Sequence, residues 1–482
     1  MRDVAASRSA MKALTGAFLL VLATGCAVLP EPTGDEVRGQ ALGYTTIPPN
    51  WSAQASAAQV DEGWLASFND PVLTRLVHEA LEHNPDLLMA AARVEQANAQ
   101  VDLAESKLKP AIGLLGRAGS KPIADLIPLL SGVMLRLSWE IDLWGRMRYA
   151  RNAARAARDA SGADYRFAQQ SLAASVARAW FVANETRLQM ALAAQMTEAG
   201  TRLVDLSGDR LRVGAGTQTD VMVAQANLAT YADAQQQIEL AHRQALRALE
   251  LLLGRYPAAT LDVAGALTPF PAPVPAGIPI DVLNRRPDMI AAERRVAAAF
   301  DLVGEAKAAM LPTLSISGGY ARISNAAVET REDLEQTTNT INATAVVPIY
   351  TGGALTGQVR LRTAEQKEAV ADYARRALNA LDEVEDALTA ERVLADRERI
   401  LREAVDANRD IVRMEESAYR IGRADLRTVS QRQLAAWAAE TALLSVQRER
   451  LSRRVDLHLA LGGNFGTPSE VAPDAGAAPA AH

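Results

Sequence analysis

Histidine and cysteine, which often act in catalysis, are few in this sequence, and the spacing of the histidines matches no catalytic pattern. The five histidines are His78, His83, His242, His458 and His482. None of them has the His-Glu-x-x-His spacing that places two zinc ligands on one face of a helix. Gly214-Ala215-Gly216 follows a predicted helix and not a strand, which indicates a turn and not a nucleotide-binding loop. The sequence therefore predicts no enzymatic activity, no metal site and no cofactor.

An acidic run, Asp382-Glu383-Val384-Glu385-Asp386, lies within the second long tract without proline. It is interpreted as one solvated face of a helix, and a cation-attracting surface is the alternative. The net charge of -6 leaves no basic face for binding phosphates, so a nucleic-acid partner is excluded.

The single cysteine, Cys26, follows a short apolar segment near the N-terminus. Ala13 to Ala23 has the length of a signal-peptide core and is too short to span a bilayer. Ala23-Thr24-Gly25-Cys26 resembles the lipobox of bacterial lipoproteins, although Ala23 occupies the position where leucine is usual. We therefore expect residues 1–25 to be a signal peptide and Cys26 to be acylated, with a plain secretory signal as the alternative. Ala27, where aspartate would retain a lipoprotein in the inner membrane, implies sorting to the outer membrane.

Two long tracts without proline predict the main helices. Proline is absent between Pro128 and Pro257 and between Pro348 and Pro468. Because proline inside a helix costs about 3 kcal/mol, these tracts predict very long helices, at Arg146 to Val213 and at Leu355 to Ile421. At 1.5 Å per residue each would be about 100 Å long, which is typical of coiled coils. Hydrophobic residues make up 49% of the chain and aromatic residues 5%, which favours close helix packing through small side chains.

The sequence also contains an internal duplication. Asn84-Pro85-Asp86 is repeated as Arg286-Pro287-Asp288 at an offset of 202, and Arg212-Val213-Gly214 is repeated as Arg420-Ile421-Gly422 at an offset of 208. Each half is predicted to contain a helix, two strands, a long helix, a turn and a helix. Aligning Gln225 with Gln431 makes the second turn region two residues shorter than the first.

Apolar and polar residues alternate in the predicted strands of both halves. Leu135, Leu137, Trp139, Ile141 and Leu143 alternate with charged and polar residues, and Ile341, Ala343, Ala345 and Val347 do the same in the second half. An apolar and a polar face are what the wall of a transmembrane β-barrel requires, and an ordinary soluble sheet is the alternative. Bacterial barrels have at least about eight strands, so four strands per chain predict a barrel closed by oligomerisation.

Five motifs, in this order, resemble the outer-membrane factors of tripartite efflux systems, the TolC and OprM group, and within it the NodT-like lipoproteins. They are Gly63 to Pro71 (GWLASFNDP), Trp139 to Arg146 (WEIDLWGR), Arg285 to Asp288 (RRPD), Pro348 to Gly353 (PIYTGG) and Leu459 to Gly463 (LALGG). Each motif is weak alone, but together their order and spacing are specific to this family. The resemblance covers nearly all of the mature chain.

The resemblance implies a mainly α fold with a membrane β-barrel. Each chain would contribute four transmembrane strands to the barrel and long antiparallel helices to a coiled-coil tunnel. It implies a homo-trimer in the outer membrane that is lipid-anchored, extends into the periplasm, and passes solutes delivered by an inner-membrane efflux transporter and a periplasmic adaptor. It also implies that the turns after the long helices meet the adaptor and form the closed aperture. The residues expected there are Arg212, Gly214, Asp220, Arg420, Gly422 and Asp425.

The expected domain boundaries follow the duplication. They are a signal peptide at 1–25, an N-terminal and equatorial segment at 26–69, a first repeat at 70–254, an equatorial linker at 255–280, a second repeat at 281–463 and a disordered tail at 464–482. At the two turns, Gly214 and Gly422 suit the left-handed position after a helix, and Asp220 and Asp425 suit caps of the returning helices.

Two other functions are compatible with the same sequence. One is a periplasmic structural or adaptor lipoprotein with a coiled coil and no pore. The other is a protein-secretion channel of the same family. The apolar face of the four strands favours the channel over the lipoprotein without a pore, because a soluble spacer has no use for it.

Overall fold

A computed structural model describes residues 28–53, 62–117, 131–324 and 335–465. Cys26, the predicted signal peptide and most of the predicted disordered tail lie outside the described residues. The chain forms two compact units, each assembled from separate stretches. The first unit contains residues up to 45, 92–163 and 291–376, and the second contains 46–91, 164–290 and 377 onwards.

Helices account for most of the described residues. They are α1 (Gly34–Ala41), α2 (Trp64–Ser67), α3 (Pro71–His83), α4 (Pro85–Ser106), α5 (Arg146–Arg212), α6 (Gln218–Leu252), α7 (Pro279–Arg285), α8 (Pro287–Ala308), α9 (Ala354–Arg420) and α10 (Leu426–Ala460). The strands are β1 (Ala111–Arg117), β2 (Ser131–Ile141), β3 (Thr313–Ser324) and β4 (Glu335–Val346). Within the described part of the chain, no helix is both long enough and apolar enough to cross a membrane.

The internal duplication is confirmed by equal helix lengths in the two halves. Helices α4 and α8 both have 22 residues, α5 and α9 both have 67, and α6 and α10 both have 35. Five residues, 213–217 and 421–425, connect the long helices in both halves. The expectation that the second turn is shorter was therefore wrong, and Gln225 corresponds to Gln433 and not to Gln431.

The four strands form one antiparallel sheet in the first unit, in the order β1-β2-β3-β4. The central pair, β2 and β3, joins the strands of the two sequence repeats. The second strand is shorter than predicted, because Asp142 leaves the sheet to cap the next helix. Its carboxylate accepts hydrogen bonds from the backbone nitrogens of Met147 at 3.0 Å and Arg148 at 3.1 Å. Leu143 therefore belongs to the turn into α5.

Small buried residues allow the helices of the first unit to pack closely. Ala153, Ala156, Ala160 and Ala163 of α5 are all buried. Their spacing of three and four residues places them on one face of the helix, as the coiled-coil pattern predicted.

The core of the second unit contains larger side chains around α3 and α5. Asp70 begins α3 by accepting hydrogen bonds from the backbone nitrogens of Val72 and Leu73, both at 3.0 Å, and it also accepts one from Trp180 Nε1 at 2.8 Å. Asn84 separates α3 from α4, and Pro85 begins the second of these two helices.

Two of the histidines have structural roles in this unit. His458 is buried and stacks on Trp64 with ring centroids 5.6 Å apart, and burial lowers its pKa to about 3. Thr186 Oγ1 lies 2.9 Å from His242 Nδ1 between α5 and α6. Both side chains therefore make packing or hydrogen-bond contacts within this unit.

The segment between α6 and α7 is held by buried charged residues. Glu250 accepts hydrogen bonds from the backbone nitrogens of Ala259 and Thr260 at 2.7 Å and of Leu261 at 3.1 Å. Arg454, which is fully buried, donates to Glu391 and to the carbonyl of Ala272. This segment lacks helices and strands, yet its backbone is fixed at both of these points.

The acidic run on α9 is also engaged in structural contacts. Glu383 accepts a hydrogen bond from buried Arg286 at 2.6 Å, and Glu385 accepts one from the backbone nitrogen of Ser52 at 2.8 Å. Asp386 pairs with Arg453 at 3.2 Å. The face is therefore partly paired, and not solely solvated as the sequence suggested.

Candidate functional site

The sheet of the first unit has a largely apolar face, with the polar residues Arg322, Thr337 and Asn339 at one end of it. Residues aligned on neighbouring strands share a face, and one aligned row runs Ile112, Leu137, Gly318 and Ile341 across all four strands. Ile112 is 71% exposed and Ile341 is 87% exposed in the single chain. The alternations predicted separately for each strand therefore combine into one large apolar surface that the chain itself does not cover.

The opposite face of the same sheet is mainly polar. An aligned row on this face runs Ala111, Ser138, Ser317 and Asn342, and the next row includes Arg136 and Thr340. Leu115 of β1 is an exception, because it lies on this face and is exposed. A sheet with water on one side and an apolar medium on the other would have this distribution.

Both edges of the sheet are open. Among the described residues, β1 pairs only with β2 and β4 pairs only with β3. Unpaired edge strands expose backbone donors and acceptors that bind another strand readily. Additional strands from outside the described chain would satisfy both edges.

The corner between β2 and α5 explains the Trp139 to Arg146 motif. Glu140 pairs with Arg146 at 2.7 Å, and Trp144 Nε1 donates to the carbonyl of Pro312 at 2.7 Å. Gly145 has φ +78°, a left-handed conformation that other residues adopt only with strain. The motif thus turns the chain sharply from the sheet into the long helix.

The turn between α5 and α6 is closed by backbone hydrogen bonds. The nitrogen of Gly214, at φ +73°, donates to the carbonyl of Leu211, and the nitrogen of Ala215 donates to that of Arg210. This is the Schellman arrangement that ends many helices at a glycine. Thr217 is the N-cap of α6, and its side chain accepts a hydrogen bond from the backbone nitrogen of Asp220. The proposed cap at Asp220 was therefore wrong, because the N-cap is Thr217 and the Asp220 carboxylate accepts a hydrogen bond from the backbone nitrogen of Thr217.

The turn between α9 and α10 has the same backbone hydrogen bonds. The nitrogen of Gly422, at φ +80°, donates to the carbonyl of Tyr419, and the nitrogen of Arg423 donates to that of Ala418. Asp425 caps α10 by accepting from the backbone nitrogen of Thr428 at 2.7 Å, and this contact lowers the pKa of its carboxyl. The left-handed glycines and the cap at Asp425 are thus confirmed as structural features.

Arg210 connects the two turns, and the sequence did not identify it. Its guanidinium donates to the carbonyl of Tyr419 at 2.6 Å and to that of Ala215 at 3.0 Å, and it lies 4.6 Å from the centre of the Tyr419 ring. The duplication could not reveal this contact, because the position of Arg210 in the second repeat is Ala418. Thr217 could have been found, since Thr-x-x-Asp before a helix is the signal of a capping box.

Both turns expose an aliphatic side chain immediately before the glycine. Val213 is 74% exposed and Ile421 is 67% exposed. Arg212 and Arg420 are exposed beside them, and Arg212 pairs with Asp209 in its own helix. The structure thus brings all six predicted turn residues to one end of the second unit, next to two exposed apolar side chains.

Comparison with known protein families identifies this architecture. A family model described as outer membrane efflux protein matches residues 76–255 and 278–463, which is most of the chain. The chain belongs to the outer membrane efflux protein family. The two matched stretches correspond to the two structural repeats, and the gap between them falls in the segment between α6 and α7.

Relatives and solved structures of this family cover almost the whole chain. The antibiotic efflux pump outer membrane protein ArpC of Pseudomonas putida is 27% identical over 95% of this chain and 96% of its own length. Outer membrane protein OprJ of Pseudomonas aeruginosa is 29% identical over 86% of this chain and 90% of its own length. The outer-membrane channel OprN superposes with a TM-score of 0.78 at 24% identity, covering 92% of this chain and 99% of that channel. The Campylobacter jejuni CmeC channel gives 0.79 at 22% identity, covering 92% and 95%. These superpositions establish the shared fold.

A buried arginine explains another motif of this outer membrane efflux protein. Arg286 donates to Asp288 and Glu383 and to the carbonyl of Ala460, and it is almost fully buried. Gly462, at φ +69°, lies against its backbone, since a Cβ there would be 3.1 Å from the nitrogen of Arg286. The Arg-Arg-Pro-Asp and Leu-Gly-Gly motifs therefore meet in space and hold the start of α8 against the end of α10.

Proposed function

We propose that three copies of this chain form the exit duct of a tripartite efflux pump, which passes solutes through the outer membrane without catalysing a reaction. The observation that carries this proposal is the four-stranded sheet with an exposed apolar face and two open edges. Three copies would provide twelve strands, which exceeds the roughly eight needed to close a membrane barrel. Joining β1 of one copy to β4 of the next would satisfy both edges.

The solute is expected to be selected by the pump and not by the duct. Similar proteins are named for different solutes, with antibiotic efflux for ArpC, toluene efflux for TtgC and pyoverdine export for OpmQ. Such different solutes share channels of one fold. We therefore propose a passive role for this chain, with an inner-membrane transporter supplying the energy and a periplasmic adaptor linking the two.

We further propose that Cys26 is acylated and anchors the protein to the outer membrane. The lipobox-like Ala23 to Cys26 supports this proposal. Mass spectrometry of the mature N-terminus tests it, because an unmodified thiol at Cys26 or cleavage at another site would contradict it. The domain boundaries at residues 26–69 and 255–280 remain a proposal for an equatorial region, supported by the anchoring of residues 255–280 through Glu250 and Arg454.

Oligomerisation is the most direct test of the barrel. In detergent the protein should run as a heat-modifiable trimer, and light scattering should give three times the mass of one chain. A stable, monodisperse monomer would contradict the proposal, since it would leave both sheet edges without partners.

The turns at residues 213–217 and 421–425 are proposed to bind the adaptor and to form the closed aperture. Val213 and Ile421 are exposed beside Arg212 and Arg420, which leaves both apolar and charged groups available to a partner at this end and supports the proposal. Asp220 and Asp425 would fix the returning helices at this surface.

Valine at Gly214 and Gly422 tests the role of the turns. Each change should strain a left-handed position by roughly 1–2 kcal/mol, which displaces the turn without unfolding a long helical bundle. We expect normal trimer abundance with reduced crosslinking to the adaptor and increased solute accumulation in cells.

Gly352→Val is the matched control for this experiment. Gly352 also has positive φ, and a Cβ there would meet no atom within 4 Å, as at Gly214. Because Gly352 lies at the start of α9 and not in either turn, its change should leave adaptor crosslinking intact. Normal efflux in the Gly214→Val and Gly422→Val double variant would show that these glycines are turn residues and nothing more.

A further inference from the structure

An apolar cleft opens in the first unit beside the corner between the sheet and α5. Its volume is about 530 Å³, within the range of known ligand pockets. Aromatic and aliphatic side chains dominate its lining, namely Trp144, Tyr149, Phe300, Val303, Leu311 and Leu29. The polar atoms of the two hydrogen-bonding aromatics are already used, because Trp144 Nε1 donates to Pro312 and the Tyr149 hydroxyl accepts from the nitrogen of Leu29. The aromatic lining of the cleft therefore suits an apolar ligand, because its polar atoms are already hydrogen-bonded within the protein.

Two glycines allow the N-terminal segment to reach the edge of this cleft. A Cβ at Gly145 would lie 2.7 Å from Val28 Cγ2, and a Cβ at Gly304 would lie 2.6 Å from the Tyr149 ring. Larger residues at these positions would displace Val28 and Tyr149. The absence of both side chains lets Tyr149 hold the backbone of Leu29 at 2.9 Å, so that Leu29 forms part of the lining.

Among the described residues, the lining of this cleft is not repeated at the corresponding positions of the other half of the chain. At the offset of 202, the lining residues Phe300, Gly304, Ala308 and Leu311 correspond to Asn98, Asp102, Ser106 and Lys109 of the first repeat. At the offset of 208, Trp144 and Tyr149 correspond to glycines, Gly352 and Gly357. The apolar lining thus belongs to one half of the described chain, and it lies beside the N-terminal segment.

We propose that this cleft receives an acyl chain attached to Cys26. Leu29 is the third residue after Cys26, so the two Cα atoms lie within about 11 Å of each other. A tether of this length keeps the acyl chain at high local concentration near the cleft, in preference to free lipid. The inference rests on the proposed acylation of Cys26. It adds that part of the anchor packs against the protein, so that acylation would also fix the N-terminal segment on α5 and α8.

Photo-crosslinking inside cells tests this placement. Leu311 is replaced by the photo-reactive residue p-benzoylphenylalanine, and trimers are purified after irradiation and digested with trypsin. The expected product joins the peptide containing position 311 to the acyl group of the peptide that begins at Cys26 and ends at Arg38. Lys307, which is exposed on the same cleft, gives a second probe if the change at Leu311 prevents assembly.

Lys109, the counterpart of Leu311 in the first repeat, is the matched control. We expect the Cys26 crosslink to be at least about tenfold more abundant at position 311 than at position 109, which corresponds to a preference of about 1.4 kcal/mol. Equal yields at both positions, or only phospholipid adducts at positions 311 and 307, would overturn the inference while the acylated peptide itself still supports the anchor. Absence of any acyl group on Cys26 would overturn both this inference and the proposed anchor, and the mass of the N-terminal peptide distinguishes the two failures.

Discussion

Replacing the buried Arg454 should release the segment between α6 and α7, whereas replacing its neighbour Arg453 should not. Arg454 is fully buried, and it donates to Glu391 at 3.2 Å and to the carbonyl of Ala272, and lies 4.5 Å from the centre of the Phe270 ring. Arg453 pairs with Asp386 at 3.2 Å, but both side chains are well exposed. The two arginines are adjacent in α10, so comparing their variants distinguishes the effect of burial from the effect of position in the chain.

The expected magnitudes differ strongly. Breaking a buried ion pair by removing one partner costs about 3–5 kcal/mol, and since Glu391 retains some contact with water we expect about 3 kcal/mol for Arg454→Met. An exposed pair contributes about 0–1 kcal/mol, so Arg453→Met should have little effect. A loss of about 3 kcal/mol would raise the population of the locally open segment by roughly a hundredfold.

A cysteine at Ala276 reports this opening. Ala276 is fully buried, and Trp51 Nε1 donates to its carbonyl at 3.2 Å, so a thiol at this position reacts only when the segment opens. In the Ala276→Cys background, Arg454→Met should accelerate labelling by a thiol reagent roughly a hundredfold, and Arg453→Met by less than about fivefold. Similar rates in both variants would refute the assignment of Arg454 as the residue that holds this segment.

Two further predictions concern the first unit. Burial and the nearby Glu31 raise the pKa of Asp301 to about 7, against the opposing effect of Arg151, so the folded state prefers the protonated acid. The protonated acid stabilises the folded state fully below about pH 4, and this stabilisation is lost as the pH rises towards 7. The upward shift in the pKa corresponds to roughly 4 kcal/mol in the free energy of unfolding. Asp301→Asn should remove this dependence, so melting temperatures at pH 5 and pH 8 should differ less in the variant than in the wild type, and an unchanged pH dependence would argue against it. Leu137→Arg should prevent membrane insertion, since a cation on the apolar face costs about 2–4 kcal/mol near the bilayer centre, whereas Ser138→Arg on the opposite face should insert normally. Heat-modifiable trimer in outer-membrane fractions measures both, and equal insertion of the two variants would contradict the assignment of faces.

The helical frame and the sheet could be predicted because their signals are local. Proline is absent from the long helices, and Leu135, Leu137 and Trp139 alternate with polar residues in a period of two, which only a strand produces. Gly214 and Gly422 were recognisable for the same reason, since each lies where a helix must end.

Features that depend on contacts between distant residues were missed or misplaced. The alternating pattern placed Asp142 on the polar face of a strand. In the structure its carboxylate accepts hydrogen bonds from the backbone nitrogens of Met147 and Arg148 and so caps the following helix. The link from Arg210 to Tyr419 joins residues 209 positions apart and has no counterpart in the other repeat. The alignment of Gln225 with Gln431 failed because it relied on residue identity, whereas the equal lengths of the helices and of the two turns align Gln225 with Gln433.

The two turns share one backbone shape but carry different side chains, and this has a consequence for how the assembly meets its partners. Three copies would present six turns, so the backbone would have nearly sixfold symmetry while the chemistry remained threefold. A partner that recognised only the shared shape could bind six times around the ring. A partner that needed the Arg210 guanidinium would find only three matching sites. The same holds for a partner that needed the Asp425 carboxylate, because the first turn has Thr217 at that position. Six identical partner molecules would therefore occupy two kinds of binding site with two different affinities. If one kind of site lost its affinity, only three of the six sites would remain occupied.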